Sequence, residues 1–176
     1  MKIVWGKYKG KVLKLSNPQG VRPLTGQVKM GIFNVLFNFM RFQDKVVADV
    51  FCGSGSFGIE ALSLGAAKVS FIDLNPGNFR NNCDFLAGGY EVFQGEALPV
   101  MKRLADELYD LIFLDPPFKF KINSEYFSES IRILKDQGIL AVRFCRGNQL
   151  EAGEGLTMFQ EKKYGDSIVR FYRKGI

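Results

Sequence analysis

From Lys45 onward, short apolar runs alternate with segments whose apolar residues recur every three or four positions. VVADVF (46–51), KVSFID (68–73), Tyr90 to Phe93, DLIFLD (110–115) and GILAVRF (138–144) read as buried strands. The intervening segments read as helices from about Ser56 to Leu64, Asn78 to Leu86, Ala97 to Glu107 and Ser124 to Lys135. Strands that alternate with helices predict a mainly parallel sheet covered on both faces, an α/β fold. The end of the chain breaks the alternation. LTMFQEKKY (156–164) and SIVRFY (167–172) flank Gly165-Asp166, which predicts an antiparallel C-terminal hairpin.

The first 44 residues have a different texture. Ile3, Val4, Trp5, Val12, Leu13 and Leu15 are interrupted by Gly6, Gly10, Pro18 and Gly20, a pattern of one or two short strands with turns. Thr25 caps a predicted helix running to about Arg41, with Val28, Ile32, Val35, Leu36, Phe39 and Met40 on its buried face and Phe33 and Phe37 widening it. Residues 1–44 are therefore expected to form a small N-terminal extension, and residues 45–176 the main α/β domain.

Charge sharpens that division. Residues 1–45 hold nine Lys or Arg against the single acid Asp44, whereas the whole chain carries only +6, so the remainder is slightly acidic. A basic segment on a near-neutral body points to a polyanion contact or to a solubilising face. The chain has no histidine, which excludes Ser-His-Asp and Cys-His catalysis in their usual forms. Cys52, Cys83 and Cys145 lie far apart with no CxxC pair, so no metal is expected and the thiols read as reduced. No apolar run nears the roughly 18 residues of a membrane span, and the start has no signal core. A soluble cytoplasmic protein without membrane contact, and a monomer, are expected.

Two loops carry the candidate chemistry. In DVFCGSGSFG (49–58), Gly53-x-Gly55-x-x-Gly58 sits between a strand and a helix, where glycines let backbone approach a nucleotide-type ligand. Asp73 closes the next strand, placed for ribose hydroxyls. A dinucleotide would rest its pyrophosphate on the helix N-terminus. Asp49, beside the loop, is awkward next to pyrophosphate and natural next to an ammonium or sulfonium, which favours S-adenosyl-L-methionine. The second loop is LIFLDPPF (111–118). Asp115 ends a strand at the sheet edge where ligands bind. Pro116 and Pro117 fix the backbone and remove donors, leaving the Asp115 carboxylate and the Pro116 carbonyl as an acceptor rim suited to the exocyclic amine of a base. Phe118 offers a face on which that base can stack.

These residues resemble a known family. D/N-P-P-Y/F with an upstream D-x-F-x-G-x-G-x-x-G is similar to the signature of class I amino-methyltransferases. GKYKGKVLK (6–14), RPLTGQVKMGIFNVL (22–36), DVFCGSGSFGIEALSLGA (49–66), LIFLDPPF and KKYGDSIVRFY (162–172) resemble, in order, segments of the RsmD-type enzymes. The resemblance implies a Rossmann-like methyltransferase fold, S-adenosyl-L-methionine as cofactor, and methylation of a guanine N2 amine in small-subunit (16S) ribosomal RNA, with the small ribosomal subunit as partner. It implies that Asp49, Phe51, Gly53, Gly55, Gly58, Asp73, Leu74, Glu96 and Ala97 bind the cofactor, and that Asp115, Pro116, Pro117 and Phe118 hold the target base. It places Arg22 and Pro23 beside the active site. Lys7, Lys9, Lys11, Arg22, Pro23 and Lys29 are the candidate RNA contacts. The chain departs from the family pattern at Leu24, Gly26-Gln27, Lys29 and Cys52, and at Arg143, where an acid is expected. Adenine N6 or another guanine as target, and a non-catalytic ribosome-assembly role on the same fold, are the competing readings.

Overall fold

The computed structural model describes residues 1–14, 24–148 and 150–175. Its elements are α1 (Gly26–Leu36), β1 (Val46–Val50), α2 (Ser56–Ser63), β2 (Lys68–Asp73), α3 (Gly77–Arg80), β3 (Tyr90–Gln94), α4 (Ala97–Met101), β4 (Tyr109–Leu114), α5 (Ser124–Ile133), β5 (Leu134–Cys145), β6 (Leu156–Tyr164) and β7 (Ser167–Lys174). The strands form one seven-stranded sheet in the order β3-β2-β1-β4-β5-β7-β6. Pairing is parallel from β3 through β5, and β7 then runs antiparallel to both β5 and β6. The fold is Rossmann-like, with helices on both faces and an antiparallel C-terminal hairpin, as the sequence pattern predicts.

Strand alternation sorts the side chains into two cores. Val47, Val69, Leu111, Phe113, Ile139 and Ala141 point to the face covered by α1 and α2, where they pack with Ile32, Phe33, Leu36, Phe57 and Ile59. Ala48, Val50, Ile112, Leu114, Leu140 and Val142 point to the opposite face, against Val100 and Met101 of α4 and Tyr126 and Phe127 of α5. Ile3 and Leu13 of the N-terminal segment enter the first of these cores.

The N-terminal segment shows less regular structure than its pattern suggests. One antiparallel bridge joins Lys2 to Val12, and turns lie between them. Leu15, Pro18, Gly20, Arg22 and Pro23 fall outside the described residues. What fixes the segment is a buried charge. Lys29 of α1 and Glu60 of α2 are both fully buried and pair at 2.6 Å. The Glu60 carboxylate also accepts the backbone N–H of Val4 at 2.9 Å and of Trp5 at 2.7 Å, and the Lys29 ammonium donates to the Lys2 carbonyl at 2.9 Å. Lys29 is thus a structural tie. The expectation that it meets RNA is corrected here, because no phosphate reaches an ammonium enclosed on all sides.

Three helices end earlier than their periodicity predicts, and each has a local cause. Asn82 donates from its side chain to the Asn78 carbonyl, competing with the helix ladder, and α3 closes at Arg80 instead of near Leu86. Arg132 of α5 donates to the carbonyls of Met101 and Leu104, both at 2.8 Å, satisfying the end of α4 well before Glu107. Asn38 donates to the Asn34 carbonyl, and α1 stops at Leu36, not Arg41; Phe37 then packs edge-on to Trp5 with ring centroids 5.2 Å apart. In the other direction, β5 begins at Leu134, directly after α5, because Leu134 itself pairs with Tyr109 across a bulge.

Candidate functional site: a carboxylate-lined cavity at the strand ends

The C-terminal ends of β1, β2, β4 and β5 open into one cavity of about 850 Å³. It lies at the upper part of the usual size range for small-molecule sites. Of the expected residues, Asp49, Phe51, Gly53, Asp73, Leu74, Glu96, Ala97, Asp115, Pro116, Pro117 and Phe118 line it. Gly55 and Gly58 do not line it. They act one layer back, by letting aromatic rings approach. Gly55 has φ 74°, and a side chain there would meet the Phe79 ring at 2.4 Å. A Cβ on Gly58 would lie 2.4 Å from the Phe71 ring and 2.8 Å from Val69. Gly58→Ala is therefore expected to lower unfolding free energy by about 1–3 kcal/mol through overpacking. Urea denaturation checks this; an unchanged midpoint would show that Phe71 yields freely.

Asp49 comes from the C-terminal end of β1, next to the glycine turn, and is buried. Its carboxylate accepts the Gly58 N–H at 2.9 Å, so it braces the start of α2. Burial holds its pKa well above the usual carboxylate range; the Gly58 N–H opposes that shift, and the charges of Asp115 and Asp73 add to it. Phe51 follows β1 with φ 62°, a left-handed conformation rare for a bulky residue. Its ring is held against Phe120 and Tyr126 at centroid distances of 5.2 and 6.0 Å. Asp73 accepts the N–H of Gly53 at 2.9 Å and of Asn75 at 2.8 Å, one on each oxygen. Each oxygen keeps a further lone pair for hydroxyl donors. Leu74 is 67% exposed on the cavity rim, and Glu96 precedes α4 without a side-chain hydrogen bond to it and is also exposed.

Asp115 continues the β4 row Leu111–Phe113 onto the same face. One residue on from the Leu114–Val142 pair, it stands beside Arg143 of β5. Arg143 Nη1 donates to both carboxylate oxygens, at 3.1 and 2.9 Å. Burial raises the Asp115 pKa, the Arg143 charge and hydrogen bonds pull it back, and the balance is about 6. The sequence marks Arg143 only as a departure. The missed signal is its register: a charge ending a buried strand next to a strand that ends in Asp115.

Among the cavity-lining residues, Asp49, Asp73, Glu96 and Asp115 stand against Lys121 and Arg143, and Arg143 is already engaged by Asp115. Such a lining favours a cationic ligand and disfavours a pyrophosphate. Asn82 supports the site from behind. It is buried, and its side-chain amide donates to the carbonyls of Lys14, Ser54 and Asn78 while its oxygen accepts the Lys14 N–H at 2.7 Å. Lys7, Lys9 and Lys11 are exposed, Lys7 over the Tyr8 ring and Lys11 over the Phe85 ring, each 5.4 Å from the centroid.

The family profile described as Conserved hypothetical protein 95 matches residues 1–173. The chain belongs to this family, the RsmD-type one. The protein named Ribosomal RNA small subunit methyltransferase D of Haemophilus influenzae is 30% identical over 98% of this chain and 93% of its own length. The protein of the same name in Escherichia coli is 28% identical over 99% of this chain and 90% of its own. A solved structure of the Escherichia coli protein yhhF superposes with a TM-score of 0.85, at 26% identity, covering 99% of this chain and 97% of that one. The RsmD-type chain thus shares sequence and fold with these relatives along nearly its whole length. No helix among the described residues is long and apolar enough to cross a membrane.

Proposed function

We propose that this protein transfers a methyl group from S-adenosyl-L-methionine to the exocyclic N2 amine of a guanine in small-subunit ribosomal RNA. The relatives' names support an rRNA methyltransferase. The observation that carries the cofactor is the excess of carboxylates around the cavity, with Asp49 buried beside the glycine turn. S-adenosyl-L-methionine supplies an activated methyl group on a sulfonium, and its charge and ammonium suit that lining. Asp49, Phe51 and Gly53 would hold its methionine end, Asp73 its ribose, and Leu74, Glu96 and Ala97 its adenine, with Gly55 and Gly58 shaping the turn.

At the end of β4, Asp115 and the Pro116 carbonyl would accept the two N–H bonds of the target amine. Two acceptors draw the nitrogen lone pair out of conjugation with the ring and aim it across the cavity. Pro117 keeps the loop from flexing, and Phe118 would stack the base, a contact worth about 1–3 kcal/mol. Holding nitrogen and methyl in line supplies much of the acceleration. Asp115 is also placed to take the proton that the amine sheds afterwards. The test is methyl transfer from labelled cofactor to small subunits lacking guanine-N2 methylation, with nucleosides identified by mass spectrometry. N2-methylguanosine supports the reading; N6-methyladenine would overturn the target.

One observation favours a second reading, a binding-only assembly factor: Arg143 already engages both oxygens of Asp115. Any methyl transfer by the wild-type protein eliminates it.

In this proposal the lysines of the N-terminal segment grip phosphates. Neutralising Lys7, Lys9 and Lys11 together is expected to flatten the slope of log K against log salt by about 2–3, at roughly 0.7–0.9 per phosphate contact. Filter binding at four salt concentrations measures this, and an unchanged slope would remove these lysines from the RNA contact.

A further inference from the structure

We infer that Arg143 reads the target base, so that Asp115 and Arg143 together copy the hydrogen-bonding edge of cytosine and select guanine over adenine. The inference rests on the guanine-N2 reading above and adds the residue that would enforce it.

Arg143 is 7% exposed, lines the cavity, and sits beside Asp115 across the β4–β5 ladder. A guanidinium and a carboxylate pair best with two parallel N–H···O bonds. Here one nitrogen, Nη1, is shared over both oxygens at 3.1 and 2.9 Å, and the buried Nε has no acceptor among the described residues. Arginine carries five donors in a rigid fork and cannot shed its charge. This one therefore has donor capacity that Asp115 does not use, in a wall otherwise dominated by acceptors.

A ligand atom that meets Arg143 while an amine meets Asp115 must belong to the same base, because the two side chains are in contact. Along its Watson–Crick edge, guanine offers N2–H, N1–H and O6: donor, donor, acceptor. Cytosine answers with acceptor, acceptor, donor. Asp115 supplies two acceptors and Arg143 the donor, in the same order. When the base docks, Nη1 gives up one carboxylate oxygen and the guanidinium turns its free donor to O6. Adenine would set its N1 lone pair against a carboxylate oxygen and leave the arginine facing another donor. Enzymes that extract a base from its stack commonly read it by this edge.

The experiment uses the full chain and the wild-type reaction as its reference. Once the methylated guanine has been mapped, RNA is prepared with 2,6-diaminopurine at that position. This base keeps the N2 amine but replaces N1–H by a lone pair and O6 by an amine. Wild-type protein is expected to prefer guanine by at least about 100-fold in kcat/KM. Arg143→Met is expected to lower kcat/KM on guanine by about 10- to 100-fold and to shrink the preference to less than about 10-fold. Arg143→Lys keeps the charge beside Asp115 and loses the fork. It covers the case in which the Met variant does not fold, and its preference should fall at least fivefold. Cofactor affinity, measured by calorimetry, reports folding in each variant. A preference unchanged in a folded variant overturns the inference while leaving the guanine-N2 reading intact. If the wild-type protein forms no N2-methylguanosine, that reading fails first and the inference falls with it.

Discussion

Asp115→Asn should reduce methyl transfer by about 100- to 1,000-fold, the loss typical of removing one group that stabilises developing charge. The amide keeps the shape of the carboxylate but turns one acceptor into a donor, which would face an amine that only donates. Cofactor affinity should stay within a few fold, because the Asp115 carboxylate is engaged by Arg143 and is not among the residues assigned to the cofactor. Retention of more than a tenth of the wild-type rate would place the chemistry elsewhere. The same carboxyl should give the reaction an acid limb. Its pKa is raised to about 6 by burial, against the pull of Arg143, and an amine needs the ionised form. Activity should therefore fall as pH drops through about 6. Stability should move the other way. Both Asp115 and Asp49 are raised in the folded state, so the folded protein binds more protons than the unfolded one above the unfolded carboxyl value. Stability then falls as pH rises from that value through about 6 for Asp115, and Asp49, raised in the same direction, adds to the fall. Since Asp49 feels the charges of both Asp115 and Asp73, the limb belongs to the group and not to one residue. A flat rate profile between pH 5 and 7 would argue against a carboxylate acceptor.

The second large effect concerns the pair behind the fold of the N-terminal segment. Lys29→Met should cost about 3–5 kcal/mol of unfolding free energy, because it leaves the fully buried Glu60 carboxylate without a cation. Glu60→Leu should cost more than Lys29→Met. It strands a buried ammonium and also removes the acceptor for the N–H groups of Val4 and Trp5. The two costs should not add in the double variant, since each single change already breaks the same pair. Urea unfolding of the three proteins tests the order. Equal losses in both single variants would mean that the backbone donors of Val4 and Trp5 find water when Glu60 is gone.

The strand pattern of this chain was readable because its central strands β1, β2, β4 and β5 are largely buried and stand out as apolar runs. The mainly parallel pairing and the C-terminal hairpin follow from those runs and from Gly165-Asp166, whereas the order of the strands in the sheet does not. The cavity residues Asp49, Gly53, Asp73 and Asp115 were readable for a related reason: each sits at or beside a strand end, where a glycine or a carboxylate interrupts an apolar run. What could not be read is what depends on partners distant in sequence. Lys29 looks like a surface cation on a helix whose other apolar positions are plain; only the packing of α1 on α2 shows that it faces Glu60. The early ends of α3 and α4 depend on Asn82 and Arg132, side chains that satisfy carbonyls which periodicity assigns to the helix itself. Arg143 was visible as a departure, but its contact with Asp115 requires the register of two strands separated by a helix.

The placement of Asn82 has a consequence for how the two proposed ligands of this protein would feel each other. A single amide holds Lys14, within the basic segment, and Ser54, inside the glycine turn. Tightening either side of that bridge lowers the cost of ordering the other. RNA bound by the N-terminal segment should therefore raise affinity for the cofactor, and the cofactor should raise affinity for RNA by the same factor, as thermodynamic reciprocity demands.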